Sequence, residues 1–193
     1  TAQVIDEAAA MADHGITFGD PQIDLGKLAQ WKDSVVGQLT KGLGSLARQR
    51  KVNVLHGLGE FVSPNSLRVD GAQGTTIVHF EKAIIAAGSQ AVEIGAFPND
   101  DERLMDSTDA LRLDDIPQRM LVIGGGIIGL EMACVYQSLG SRITIVELLD
   151  GLIPGADRDL VRPLQKRIEA RYENIFLQTR VTGGETSSWR SDR

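Results

Sequence analysis

One stretch constrains this chain more than any other. Gly124-Gly125-Gly126-Ile127-Ile128-Gly129 follows directly on the apolar run Met120 to Ile123. The G-x-G-x-x-G spacing at Gly124, Gly126 and Gly129 is weak alone and gains its weight from its surroundings. The run before it has a strand pattern. After it, Ile127 to Leu139 reads as a helix ending at Gly140, and Arg142 to Glu147 as a second strand. Beyond a loop containing Pro154 and Gly155, Asp157 to Tyr172 patterns as an amphipathic helix and Ile175 to Val181 as a third strand. Strand–helix–strand–helix–strand in this order implies a parallel, right-handed, doubly wound sheet.

Each glycine then has a physical task. Gly124 permits the tight turn, Gly126 lets a pyrophosphate approach the backbone, and Gly129 lets the helix pack closely on the strand. Gly125, Ile127 and Ile128 complete a loop whose amides, with the helix dipole, favour phosphate charge. Glu147 ends the next strand, where a carboxylate can accept hydrogen bonds from ribose hydroxyls. Leu148, Leu149 and Asp150 follow it, with no Arg to neutralise a 2′-phosphate, so NAD is expected rather than NADP. One alternative is a glycine-rich turn that holds no nucleotide; another is a free-standing dinucleotide-binding module with no redox role.

Upstream the pattern differs. Thr1 to His14 is Ala-rich, with Ile5, Ala8, Ala9 and Ala12 on one helical face and Gly15 placed as a C-cap. Asp24 looks like the N-cap of a long helix with apolar positions Leu25, Leu28, Val35, Leu39, Leu43 and Leu46. Gly37, Gly42 and Gly44 lie inside it, so the helix either meets a close neighbour or breaks near Gly42. From Lys51 the period becomes two. Val52, Val54 and Phe61 suggest one strand, Ser66 to Val69 a second and Thr75 to Phe80 a third, turning at Asn65 and Asp70-Gly71. Lys82 to Ala87 has the uniform apolar pattern of a strand buried on both faces. Gln90 to Pro117 reads as a connector, with Ser107 to Leu111 a helical turn.

Composition narrows the function classes. Twenty basic against 26 acidic side chains leave a net charge of −6, which argues against nucleic acid as a partner. The longest apolar run, Met120 to Leu130, is far too short to span a bilayer. No signal-peptide pattern opens the chain, and the start at Thr1 suggests a piece of something longer. His14, His56 and His79 stand apart without ligand-like partners, so no metal site is expected. Cys134 is the single cysteine, and its spacing from Ile127 and Leu130 predicts a small buried hydrophobe.

Val122 to Met132 (VIGGGIIGLEM), with Gly140-Ser141 and Val146-Glu147, resembles the NAD-binding half of the dihydrolipoamide dehydrogenases, within the FAD-dependent pyridine nucleotide–disulfide oxidoreductases. Ala83 to Ser89 is similar to the family's second flavin motif, with Ala87 where Thr is usual, followed by Gly88 and Ser89. Gly57-Leu58-Gly59 matches a turn that in the family lies near the FAD adenine. Asp106 to Leu111 and Gly155-Ala156-Asp157 also fit, so the resemblance runs from about Ala2 to Val181.

The resemblance implies parts of two Rossmann-like FAD/NAD(P)-binding domains, a doubly wound parallel sheet with a β-meander insertion. Residues 1–116 would be the second part of the FAD domain with its connector, and 117–182 the first part of the NAD domain. Residues 183–193 depart from the pattern and are expected to form a disordered tail. The implied cofactors are FAD and NAD. The implied reaction passes electrons from dihydrolipoamide, carried on lipoyl domains of 2-oxo acid dehydrogenase complexes, through a disulfide and FAD to NAD⁺. A cytoplasmic homodimeric parent goes with it, and another disulfide reductase or a soluble transhydrogenase is the rival within the superfamily. Gly59, Ala87, Gly88 and Ser89 would then face FAD, and Gly124 to Gly129 with Glu147 would face NAD. Glu131 matches a glutamate that pairs with a lysine near the flavin, or is an ordinary helical acid. Val181 matches a position beside the NAD adenine, or is simple strand core. The family's redox cysteines, first flavin loop and terminal base have no counterpart in these residues, so the chain is expected to be an inactive internal fragment.

Overall fold

The computed structural model describes residues 1–184. The expectation of a disordered tail falls on 183–193, and all but its first two residues lie outside the described part. Two compact units emerge: Thr1–Ala29 with the described residues from Ala91 onward, and Gln30–Gln90. Helix α1 (Ala2–Ala10) continues as a 3-10 turn, Met11–His14. Helix α2 (Leu25–Gln49) runs unbroken past Gly42, opened by Asp24, whose Oδ1 accepts the Lys27 N–H at 3.0 Å. Leu25 and Leu28 are half-buried, whereas its later apolar positions are exposed, Leu39 and Leu43 each 67%.

In the second unit, β1 (Leu58–Ser63), β2 (Ser66–Gly71) and β3 (Gly74–His79) form an antiparallel meander in the order β1-β2-β3. Asn65 turns the first hairpin, its carbonyl and side-chain amide both bonded to Phe80. The second hairpin turns at Ala72-Gln73 rather than at Asp70-Gly71, since Gly71 pairs with Gly74 inside the ladder. The expected first strand forms only in its later part, around Phe61, and one expected strand is absent. Val52 and Val54 precede β1 without pairing, and Lys82 to Ala87 is irregular, with Ile84 95% exposed. A strand exists only as one side of a hydrogen-bonded pair. These segments have the side chains for a sheet and no partner among the described residues.

In the first unit, Asp106 caps α3 (Ser107–Arg112) through a capping box with Asp109. Strands β4 (Arg119–Ile123), β5 (Arg142–Val146) and β6 (Asn174–Phe176) make a parallel sheet in that order. Helix α4 (Ile127–Ser138) joins β4 to β5, and α5 (Arg158–Glu169) joins β5 to β6. Ile143 and Ile145 of β5 and Tyr136 of α4 are fully buried, and each isoleucine contributes about 1.5–3 kcal/mol by leaving water. The Tyr136 hydroxyl donates to the Ala110 carbonyl at 2.9 Å, tying α3 to α4, and burial pushes it above its ordinary pKa.

Two further expectations are corrected here. The last strand stops at Phe176: Gln178 takes a left-handed φ of 49°, and the Gln178 and Thr179 amides bond to the carbonyls of Leu149 and Glu147. Val181 therefore lies beyond the sheet, half-buried. Cys134 is exposed rather than buried, because the covered face of α4 is the one carrying Leu130, Ala133 and Tyr136. Helix α1 packs on α4. Asp6 of α1 pairs with the Arg171 guanidinium (Oδ2 to Nη1 2.7 Å) and accepts the Ser138 hydroxyl at 3.1 Å.

Candidate nucleotide site

The site forms where β4 ends. Gly124 N–H still donates to the Val146 carbonyl at 2.8 Å, so the loop leaves the sheet from a bonded position. Gly124 then turns at φ 109°, a region closed to most L residues. A β-carbon on Gly129 would stand 2.5 Å from the Gly124 carbonyl oxygen and 3.1 Å from Val122 Cγ1. The helix can approach the strand this closely only as glycine. Gly126 is different: as N-cap it has ordinary extended angles, and its β-carbon position meets nothing within 4 Å. Its missing side chain leaves open space at the start of α4.

That open space is suited to an anion. No side chain among the described residues caps α4, and its first turn carries no acid. The first-turn amides and the positive end of the dipole are therefore available to phosphate. Ile127 and Ile128 flank the opening with their side chains exposed. These features fit the pyrophosphate of a dinucleotide.

Glu147 closes the other side. It is only 7% exposed. Its Oε2 accepts the Gly125 N–H at 2.6 Å and its Oε1 the Leu149 N–H at 2.8 Å. Each oxygen keeps acceptor capacity for a ribose hydroxyl. The ribose role is an expectation from the sequence; the two amide bonds were not legible there, because they depend on how the loops after β4 and β5 meet. Leu152, fully buried, packs against Gly125, whose β-carbon would come 2.5 Å from Leu152 Cδ2. Ile153 N–H donates to the Gly125 carbonyl at 2.8 Å. The Gly125 peptide is thus held at both its N–H and its C=O.

The remaining candidates are not drawn into a comparable arrangement. Gly59 lies inside β1, opposite Val69, instead of in a turn. Ala87, Gly88 and Ser89 belong to an exposed irregular stretch, Gly88 at φ 76°. By themselves the described residues make no flavin cradle. Glu131 is exposed on α4, in no ion pair among the described residues. No helix among the described residues is long and apolar enough to cross a membrane.

Residues 3–188 match the pyridine nucleotide-disulphide oxidoreductase family. The chain is 51% identical over 184 residues to a dihydrolipoyl dehydrogenase of Vibrio cholerae, covering 95% of this chain and 38% of that protein. Among solved structures it is similar to the HOCl-induced flavoprotein disulfide reductase RclA from Escherichia coli, at TM-score 0.73 and 27% identity over 94% of this chain and 38% of that one. LpdA from Mycobacterium tuberculosis shares the fold at TM-score 0.76 and 18% identity, over 94% of this chain and 40% of that one. The chain thus spans about two fifths of the length of such relatives. With its mixed α/β architecture, parallel sheet and glycine cradle, it belongs to the pyridine nucleotide-disulphide oxidoreductase family.

Proposed function

We propose that this chain is the nucleotide-holding part of a dihydrolipoyl dehydrogenase, which oxidises dihydrolipoamide and reduces NAD⁺. The observation that carries the reading is the cradle itself: an uncapped helix N-terminus over open space at Gly126, braced by Glu147 through the Gly125 amide. Members of this family use FAD and a pyridine nucleotide. When bound, the nicotinamide accepts a hydride. This chain's own residues bind and orient: the amides of Gly126 to Gly129 take the pyrophosphate, and Glu147 takes the adenosine ribose. The acidic Glu147 and the absence of a basic residue at Leu148, Leu149 or Asp150 favour NAD over NADP.

In this reading 1–116 contributes to the flavin side and 117–182 to the NAD side, with Gly59, Ala87, Gly88, Ser89, Glu131 and Val181 completing their surroundings in the whole protein. The parent is a cytoplasmic homodimer serving lipoyl domains of 2-oxo acid dehydrogenase complexes. Another flavoprotein disulfide reductase is the second reading, supported by the likeness to RclA. Turnover of the intact protein decides: dihydrolipoamide-dependent NADH formation is expected. A protein that instead reduces other disulfides with NADPH, and leaves dihydrolipoamide untouched, contradicts the first reading.

A further inference from the structure

The loop between β5 and α5 reaches the cradle through Leu152 and Ile153, and Ile153 sits at φ 47°, which a β-branched residue holds only under constraint. Arg158 supplies the constraint. From the first turn of α5 its Nη2 lies 2.8 Å from the carbonyl oxygens of both Leu152 and Ile153 and 3.1 Å from that of Ala156, with Nε 3.3 Å from the last. A cation here opposes the dipole of α5, so the helix itself gains nothing from Arg158. The ring of carbonyls accounts for it. A planar fork of donors can gather several carbonyls at once, which the ammonium of Lys does less well.

We propose that Arg158 is a positioning residue for pyridine-nucleotide binding. Its guanidinium fixes the loop 150–156, the loop fixes the Gly125 carbonyl through Ile153, and Gly125 sets the phosphate cradle. The inference rests on the reading of Gly124 to Gly129 as the nucleotide site. Arg158 touches neither nucleotide nor substrate, and its effect belongs to binding, not to the hydride step.

The test compares the intact protein with Arg158→Met, which keeps an unbranched apolar stem and removes the donors, and with Arg158→Lys. NADH affinity is read by fluorescence titration, KM for NAD⁺ and kcat by turnover, exchange of the Ile153 amide by mass spectrometry, and folding by melting temperature. Arg158→Met is expected to raise Kd and KM about tenfold with kcat unchanged, and to speed exchange at Ile153. Arg158→Lys is expected to raise Kd about threefold, and it serves if the Met variant folds poorly. Wild-type Kd in both variants, with only the melting temperature changed, marks a purely structural arginine and overturns the proposal. A wild-type protein that binds no pyridine nucleotide overturns the site reading, and the proposal with it.

Discussion

A methyl group at Gly129 tests how closely α4 must sit on β4. Its β-carbon would stand 2.5 Å from the Gly124 carbonyl oxygen, where ordinary contact begins at 3.4 Å. The obstacle is backbone, so relief means moving the helix by about 1 Å or straining the loop. Alanine gains about 1 kcal/mol over glycine within a helix, while overpacking of this kind costs about 1–3 kcal/mol. A backbone clash belongs at or beyond the upper end, so the net loss is about 2 kcal/mol. For a chain of this size that lowers Tm by about 4–8 °C. Gly126→Ala is the matched control, because its β-carbon meets nothing within 4 Å and its φ of −77° suits any residue. Its stability should stay within about 0.5 kcal/mol of wild type, yet its methyl fills the space assigned to the pyrophosphate. Loss of one charge-assisted hydrogen bond there weakens NAD binding about tenfold or more. Circular dichroism melting and NADH fluorescence titration read the two effects separately. A Gly129→Ala variant that melts like wild type would show that α4 need not sit so close to β4, and a Gly126→Ala variant that binds NADH like wild type would remove the phosphate from this space.

Tyr136→Phe leaves the Ala110 carbonyl without its donor in a buried place, at a cost of about 1–2 kcal/mol; an unchanged melting temperature would show that bond to be idle. The Arg171 guanidinium holds the Asp6 carboxyl below its ordinary value of 3.8. Its contribution is then present in full above the unfolded value and is lost as pH falls through the lower folded one. Amide protection of α1 should hold from neutrality to about pH 4 and fall below it, while Arg171→Met should remove that step; loss of protection at higher pH would assign it to other groups. Glu147→Ala should raise the KM for NAD⁺ through both the ribose and the Gly125 amide, and adding Leu148→Arg should improve use of NADP⁺. Equal use of NAD⁺ and NADP⁺ by the unaltered protein would contradict the role given to Glu147.

What could be read from the sequence was whatever is local. Gly124, Gly126 and Gly129 specify a turn, an open approach and a close helix contact within six residues, and β4, α4 and β5 follow from adjacent patterns. Pairing is not local. Val52, Val54 and Lys82 to Ala87 carry strand chemistry but find no partner among the described residues, so their apolar side chains stay exposed. Cys134 shows the same limit on a helix: spacing tells which residues share a face, not which face is covered. Gln178 ended β6 early through one backbone angle that no side-chain pattern announces. The bond from Glu147 to Gly125 joins segments 22 residues apart, and the shorter-range bonds from Arg158 depend on how the loop before α5 folds back, which no side-chain pattern announces.

If the loop from Gly124 to Gly129, braced by Glu147, holds the phosphates of NAD, its amides must respond to the nucleotide. Amide chemical shifts of the ¹⁵N-labelled chain, mapped while adding NAD⁺ and separately NADP⁺, read that response residue by residue. The largest changes are expected on Gly125, Gly126, Ile127, Ile128, Gly129 and Leu149, saturating at lower NAD⁺ than NADP⁺. Changes centred on the β1-β2-β3 meander, or an equal response to the two nucleotides, would contradict it.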